Sequence, residues 1–386
     1  MMTIADIEIL KSEQVRRAIA KNIDRNPSDV ALDRGIAHAR LVATQVKYLQ
    51  RARHKLPRLY AAQCIIPPRA FEQSSSEDTA ARKAISGGAL LDLTCGLGVD
   101  TLSFAQRFER VVALERDEVL ASVVRYNLEL LGIDNVEVIN TSAEEYVANC
   151  KEHFDWVFAD PDRRSEEGRK MVCMEDCSPN MLALLPRLSD IAERVAIKLS
   201  PMFDVEEAFR LCSPAEVEVV SVSGECKELN IYTRAERNLL RIAITGESEW
   251  CFEPQDMSLA PAAECFDAAA YRYLLVPDVA LQKGRVVVAA LRDRAKVWSN
   301  NGYGFAVELD QERLPCRVYE ILDIARYRPK ELKRRFKGVG VEIMKRDTRL
   351  TVEEVRRSIG AVAGSDSLLA VTTIAGESFV IELKEL

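Results

Sequence analysis

Six short apolar runs, separated by helical stretches of ten or more residues, most constrain what this chain can fold into. They occupy 89–93, 111–114, 136–139, 156–159, 195–199 and 217–222. A strand that returns parallel to its neighbour needs a crossover of this length, so the alternation predicts an α/β fold with helices on both faces of a mostly parallel sheet. A seventh run, 239–244, follows the sixth without a long helix and reads as an antiparallel edge strand. The expectation for 86–246 is a seven-stranded doubly wound sheet.

The flanks read differently. Residues 1–85 are expected to be helical: Ser12 is a candidate N-cap before Val15, Ala18, Ile19 and Ile23, and Ser28 before a stripe of Val30, Ala39, Val42, Val46 and Leu49 that Pro57 ends. A polar stretch at 246–261 looks like a connection. Beyond it, a strand at 273–276, a helix at 278–292 and a strand near 303–308 suggest a small α/β module over 262–312. Helices at 329–337 and 352–359, a strand at 339–344 and a hairpin of 368–373 with 378–383 suggest another over 313–386.

Composition removes several function classes. With 386 residues the chain has room for two or three domains, and 29% charged with 48% hydrophobic residues suits a globular protein. No run approaches the roughly 18 apolar residues of a membrane span, and the start lacks a basic then apolar leader, so no membrane association and a cytoplasmic location are expected. Ten cysteines include no Cys-x-x-Cys pair. Cys173 and Cys177 stand four apart, but only three histidines (His38, His54, His153) exist, so no metal centre is expected. The same scarcity argues against a nucleophile activated by histidine.

Net charge is −7, yet two segments are basic. Eight basic and no acidic residues lie between Arg34 and Arg69, and nine basic against two acidic between Arg326 and Arg346. Both a solvated helical face and a nucleic-acid contact fit the first, and the two form positive patches in an otherwise acidic chain.

The first strand runs into Asp92-Leu93-Thr94-Cys95-Gly96-Leu97-Gly98-Val99-Asp100 and then a helix. Glycines in a strand-to-helix turn let the backbone approach a ligand. Thr101 replaces the third glycine of the dinucleotide fingerprint, and no Gly-Lys-Ser/Thr follows, which disfavours a nicotinamide, flavin or Walker-type ligand. Glu115 ends the second strand, seventeen residues after Gly98, placed to accept two ribose hydroxyls. The fourth strand runs into Asp160-Pro161-Asp162-Arg163-Arg164 on the same rim. Together these point to a nucleoside-containing cofactor.

With these motifs, residues 89 to about 245 resemble a class I S-adenosylmethionine-dependent methyltransferase with a Rossmann-like fold. Asp92 to Gly98 resembles its first motif, Glu115 its ribose-binding acid, and Asp160-Pro161-Asp162 its Asn/Asp-Pro-Pro-aromatic motif. Residues 73–80 resemble the segment that amino-methyltransferases place before the first strand. Residues 342–346 and 352–357 are similar to the THUMP-like domain of RNA methyltransferases, and the module at 262–312 is expected to be ferredoxin-like.

The resemblance implies S-adenosylmethionine as cofactor, held by Ser75, Thr79, Asp92, Cys95, Gly96, Gly98 and Glu115, with Ser142 and Ala143 at the adenine. It implies that Asp160 and the Pro161 carbonyl accept hydrogen bonds from an exocyclic amino group, aligning the nitrogen lone pair with the methyl group. Asp162 stands where the family has its second proline, and Arg163 where it has an aromatic ring. Arg163 and Arg164 would stack on a base or grip phosphate. Phe203, after the fifth strand, would either supply the missing ring or sit in a core. The segment 224–228 after the sixth strand reads as a solvated hairpin or as part of the rim. Arg334, Arg335, Lys345 and Arg346 would contact RNA.

The leading expectation is methylation of RNA, tRNA or rRNA, at a base nitrogen. Methylation of a small molecule or protein, and a catalytically inactive RNA-binding protein, are the alternatives. Oligomeric state is left open.

Overall fold

A computed structural model describes residues 2–83, 85–163, 174–246, 249–309 and 314–386. The chain divides into two compact units, one of residues 1–199 with 232–234 and one of 200–231 with 235–386.

The first unit holds β1 (Gly87–Asp92), β2 (Phe108–Leu114), β3 (Val136–Ile139), β4 (Phe154–Ala159), a two-residue antiparallel ladder of β5 (Asp162–Arg163) with β6 (Cys177–Ser178), and β7 (Ala192–Leu199). Neighbours run β7-β4-β1-β2-β3, and every pairing is parallel. Leu90, Leu91, Val111, Val112, Val157 and Ile197 are wholly buried, as continuous apolar strands covered on both faces must be. Chain order reverses between β1 and β4. The carboxyl ends of β1, β2 and β4 therefore border the crevice where open α/β sheets take ligands.

The N-terminal helices share one apolar core with this sheet: Ile7, Leu10, Val42, Val46 and Leu49 cluster with Val99, Leu102, Val124 and Leu128. Two buried amides fix the connection. Asn127 accepts the Ile65 N–H and donates to the Ile65 carbonyl, both at 2.9 Å, while Gln45 accepts the Ile66 N–H at 2.9 Å. The expected Ser28-capped helix running to Leu49 is two helices instead. Asn26 caps Pro27–Leu32, and His38, in the left-handed region at φ 54°, precedes Ala39–Lys55. Ser12 does stand at the N-cap of Glu13–Lys21, but its hydroxyl donates to the Ile9 carbonyl and makes no capping bond.

In the second unit β8 (Ala215–Val222) turns at Ser223-Gly224, both at positive φ (53° and 77°) as a tight hairpin requires, into β9 (Glu225–Thr233), of which 232–233 belong to the first unit. β10 (Leu239–Ile244) pairs parallel with β8, and β11 (Glu249–Phe252) pairs antiparallel with β10. The 239–244 run is thus not the antiparallel edge that its sequence suggests. The intervening strand β9 escapes a hydropathy reading because Glu228 and Asn230 are buried in it. Asn230 donates to Glu218 at 2.7 Å and to Glu228 at 3.2 Å, and Arg241 pairs with Glu216, Glu218 and Glu249, while the buried Asn230 Oδ1 accepts no hydrogen bond among the described residues.

The remaining strands are β12 (Tyr273–Pro277), β13 (Lys296–Val297), β14 (Gly304–Ala306), β15 (Cys316–Arg326), β16 (Gly340–Lys345), β17 (Val362–Ala363), β18 (Ser367–Ile374) and β19 (Glu377–Glu385). They form one sheet in the order β13-β14-β12-β15-β19-β18-β16-β17. The modules expected over 262–312 and 313–386 therefore share a sheet, joined by the antiparallel β12–β15 ladder. The helix expected over 278–292 is interrupted at Arg285 (φ 56°), giving Val279–Lys283 and Val287–Leu291. Leu332, Phe336, Val355 and Ile359 of the last two helices pack on Val341, Ile343, Leu369 and Val371. Among the described residues no helix is long and apolar enough to cross a membrane.

Candidate active site

A cavity of about 690 Å³ opens at the carboxyl ends of β1, β2 and β4. That is ample for a nucleoside-sized ligand. The turn after β1 forms its floor, with Gly96 at φ 57° and Gly98 at φ 82°. A side chain at Gly98 would also bring a Cβ to 3.2 Å from Val124 Cγ1, so glycine is needed there twice over. The Glu115 carboxylate accepts the Gly96 N–H at 2.9 Å on one oxygen and the Asp117 N–H at 2.8 Å on the other. Each oxygen keeps a lone pair for a ligand hydroxyl. Burial raises the Glu115 carboxyl above its ordinary value, opposed by those two N–H donors.

The residues fit S-adenosylmethionine. Carboxylates of Asp100, Glu115, Asp117, Glu144 and Asp160 line the cavity against the guanidinium groups of Arg69 and Arg116, an electrostatic complement to a cation. Ser142 and Ala143 line it too, with Ser142 capping the helix Ala143–Asn149 through the Glu145 N–H. Cys95, Gly96 and Ser75 are also on the wall.

Other expected contacts lie elsewhere. Asp92 is wholly buried behind the wall, its two oxygens accepting the Thr94 N–H at 3.0 Å and the Thr101 hydroxyl at 2.6 Å. It shapes the turn from behind. Burial pushes its carboxyl up to about 7, against those two hydrogen bonds. Thr79 is buried with its hydroxyl donating to the Ser76 carbonyl at 3.0 Å, and neither it nor Gly98 is on the wall.

Asp160 follows β4 and Asp162 begins β5; both line the cavity, whereas Pro161 is buried beside them. The Asp160 N–H donates to Thr94 Oγ1 at 2.7 Å. Its carboxylate, 34% exposed, pairs with Lys198 at the end of β7. Lys198 Nζ also donates to Ser75 Oγ at 2.9 Å and lies 4.0 Å from Asp100 Oδ2; Ser75 Oγ in turn donates to that Asp100 oxygen at 2.9 Å. Lys83 pairs with the other Asp100 oxygen at 2.8 Å. Charges thus alternate along Lys83, Asp100, Lys198 and Asp160. Burial would raise Asp100, but the Lys83 and Lys198 ammonium groups hold it below its ordinary value; Asp160 stays raised, burial outweighing Lys198.

Sequence reasoning places the segment 198–203 on the rim and Thr94 in the first motif without giving Lys198 or Thr94 a role, and it missed Lys83. It also missed Met2, Leu41, Thr44 and Pro67 to Arg69, by which the N-terminal region walls the cavity. The available signal was Lys198 itself, a charge closing an apolar strand on the right rim.

Several expected substrate contacts are corrected. The Phe203 ring is 1% exposed and cannot stack on a ligand. Arg335 is paired with Asp323 and Glu382. Arg346 donates to the Pro277 carbonyl at 2.6 Å and lies over the Tyr303 ring, so it serves packing. Lys345 is exposed and donates to the Leu350 carbonyl at 3.0 Å; Arg334 is exposed on the helix Pro329–Phe336. Arg164 and the Arg163 side chain lie outside the described residues. In the N-terminal basic segment, Arg51 pairs with Glu72, Arg53 with Asp24, and Lys55 donates to the Phe71 carbonyl at 2.7 Å. Arg51 and Arg53 are thus neutralised locally. Among the described residues no cluster of histidine, cysteine or carboxylate side chains could hold a metal ion.

Comparisons with known proteins agree with the fold. Residues 316–385 match the THUMP domain-like family model, and residues 75–158 match that of tRNA (uracil-5-)-methyltransferase. The chain is 25% identical over 336 residues, 83% of its own length and 87% of the relative's, to an uncharacterized S-adenosylmethionine-dependent methyltransferase of Mycobacterium tuberculosis. It is 30% identical over 143 residues, 31% of its length and 39% of the relative's, to a tRNA/tmRNA (uracil-C(5))-methyltransferase of Neisseria meningitidis. The crystal structure of a Porphyromonas gingivalis W83 protein assigned as a methyltransferase superposes with a TM-score of 0.84 at 25% identity, covering 98% of each chain.

Proposed function

Given that the chain is a class I S-adenosylmethionine-dependent methyltransferase with a THUMP-like C-terminal part, we propose that it methylates RNA at an exocyclic amino nitrogen of a base. The observation that carries this reading is the Asp160 carboxylate on the cavity wall, after the strand that closes the cofactor crevice. When bound, the cofactor supplies an electrophilic methyl group on a sulfonium. A carboxylate accepting the N–H hydrogens of an amino group orients its lone pair toward that carbon, which is catalysis by position and charge. The N–CH3 bond forms as the S–CH3 bond breaks with its electrons, and the nitrogen then loses one proton to water.

The likeness to uracil-C5 enzymes supports RNA as the substrate class, together with the THUMP-like region. Methylation at a pyrimidine carbon is a second reading, favoured by the family model over 75–158. It needs a nucleophile to add to the ring first, for which a thiolate is the usual group. Cys95 is the cysteine on the wall among the described residues. Its thiol is 3.5 Å from the Thr101 hydroxyl, and burial pushes it well above its ordinary value. That chemistry therefore lacks its nucleophile in the described cavity, and nitrogen is the better target.

The test is transfer of labelled methyl from S-adenosylmethionine to total RNA from cells lacking this protein, compared with Asp160→Ala. Label with wild type alone, in a nucleoside methylated at nitrogen, supports the reading. Label at uracil C5 overturns its nitrogen assignment, and label in protein or small molecules overturns RNA.

A further inference from the structure

Asp160 is not presented to the cavity by its own loop alone. The turn after β1 holds its N–H through Thr94, and the end of β7 pairs with its carboxylate through Lys198, which in turn borders Asp100 of the helix Val99–Phe104 and, through Asp100, Lys83 before β1. Lys198 links Asp160 to the rest of this arrangement. Its side chain is 13% exposed, and its ammonium group meets Asp160 Oδ2, Ser75 Oγ and the edge of Asp100. A lysine so enclosed is stable because carboxylates surround it.

We infer that Lys198 is a positioning residue, turning the Asp160 carboxylate to the cavity and keeping it negatively charged for the nitrogen that receives the methyl group. The inference deepens the reading of Asp160 given above and rests on it. A carboxylate offers about four lone-pair directions, and Lys198 takes one at Oδ2. A protonated carboxyl keeps fewer acceptor sites and presents an O–H donor to the amino group, whereas an anion held on its far side offers acceptors only. Asp100 and Asp92 lie close enough to oppose ionisation of Asp160, Lys83 assists it at longer range, and burial opposes it. Lys198 is the cation in direct contact. Ser75 completes the arrangement by accepting from Lys198 while donating to Asp100, which keeps the lysine from collapsing onto Asp100.

The experiment compares wild type, Lys198→Met and Lys198→Arg in two measurements. The first is the 13C titration of carboxyl-labelled aspartate, with the Asp160 signal identified by its loss in Asp160→Asn. The second is the pH profile of kcat for transfer to RNA, with S-adenosylmethionine affinity of each variant confirming an intact cofactor site. Lys198→Met is expected to move the Asp160 titration and the acidic limb of kcat upward together by at least one pH unit. It should also lower kcat at pH 7 more than tenfold with little change in KM for RNA. Lys198→Arg should restore both midpoints. An unmoved titration, or a moved titration with an unmoved limb, overturns the role of Lys198 while Asp160→Ala remains inactive. Undiminished transfer by Asp160→Ala overturns the reading of Asp160, and with it any role of Lys198 in transfer, whatever the titration shows.

Discussion

Thr94 Oγ1 accepts the backbone N–H of Asp160 at 2.7 Å, so one hydroxyl fastens the loop after β4 to the turn after β1. The two sides of the crevice are thereby held in register. Thr94→Val removes the acceptor and leaves a partly buried N–H unpaired, at a cost of roughly 1–3 kcal/mol. If that loosening reaches the Asp160 carboxylate, kcat falls about tenfold while cofactor affinity changes little. Thr94→Ser should keep wild-type kcat; steady-state transfer assays on both variants decide it.

Glu115 bridges two backbone N–H groups and lines the cavity, so its loss removes both a carboxylate from the cavity wall and a brace of the glycine turn. Glu115→Ala should weaken S-adenosylmethionine binding at least tenfold, and Glu115→Gln, which retains one acceptor oxygen, should weaken it less. Titration calorimetry measures both, and unchanged affinity in the alanine variant would falsify the ribose assignment.

Asp92 predicts a pH dependence of stability. Its unfolded value is about 3.9, whereas in the fold burial pushes it up to about 7. Between these values the native state holds a proton that the unfolded chain has released. Stability from this group is therefore full below about pH 4 and is lost as pH rises through about 7. Urea melts from pH 4 to 7 should show a falling contribution of up to tenfold in the folding constant per pH unit, and Asp92→Asn should flatten it. A wild-type profile matching the variant's would contradict the burial argument.

Cys95 separates nitrogen from carbon chemistry. Its thiol is buried against Thr101 with its titration raised. Cys95→Ala should keep transfer within about threefold of wild type, whereas a nucleophilic role predicts loss by several orders of magnitude.

Arg334 and Arg335 should behave differently although adjacent. Arg334→Glu, combined with Lys330→Glu, is expected to lower RNA affinity and flatten its salt dependence. Arg335→Glu opposes Asp323 and Glu382 and should lower stability by about 1 kcal/mol, as exposed like charges do. Filter binding across salt concentrations and thermal melts distinguish them. Equal effects of both on RNA affinity would show that the ion pairs of Arg335 open on binding.

The seven strand runs named from hydropathy are all strands: 111–114 and 156–159 are unbroken apolar stretches, and the others keep apolar residues around one or two polar positions, the composition of a sheet covered on both faces. β9 was hidden because it buries Glu228 and Asn230, and Asn230 finds Glu218 on β8, a neighbour that hydropathy does not show. β15 was hidden because its exposed and half-buried residues mix charge with isoleucine over eleven positions. The basic segments show the same limit: charge is countable in sequence, but whether Arg51 or Arg335 is already paired depends on which carboxylate folding brings beside it.

The linear order of residues determined what is local and repetitive: the β/α alternation, the glycine turn after Asp92, and the acids that close β2 and β4. Glycine's freedom at positive φ and the hydropathy of a crossover unit act over a few residues, so sequence reveals them. Only the tertiary structure decided that Asp92 stands behind the wall, that Phe203 is buried, and that Lys198, 38 positions after Asp160, lies against it. Burial and ion pairing are properties of surroundings, and the surroundings of a buried charge are assembled from elements far apart in the chain.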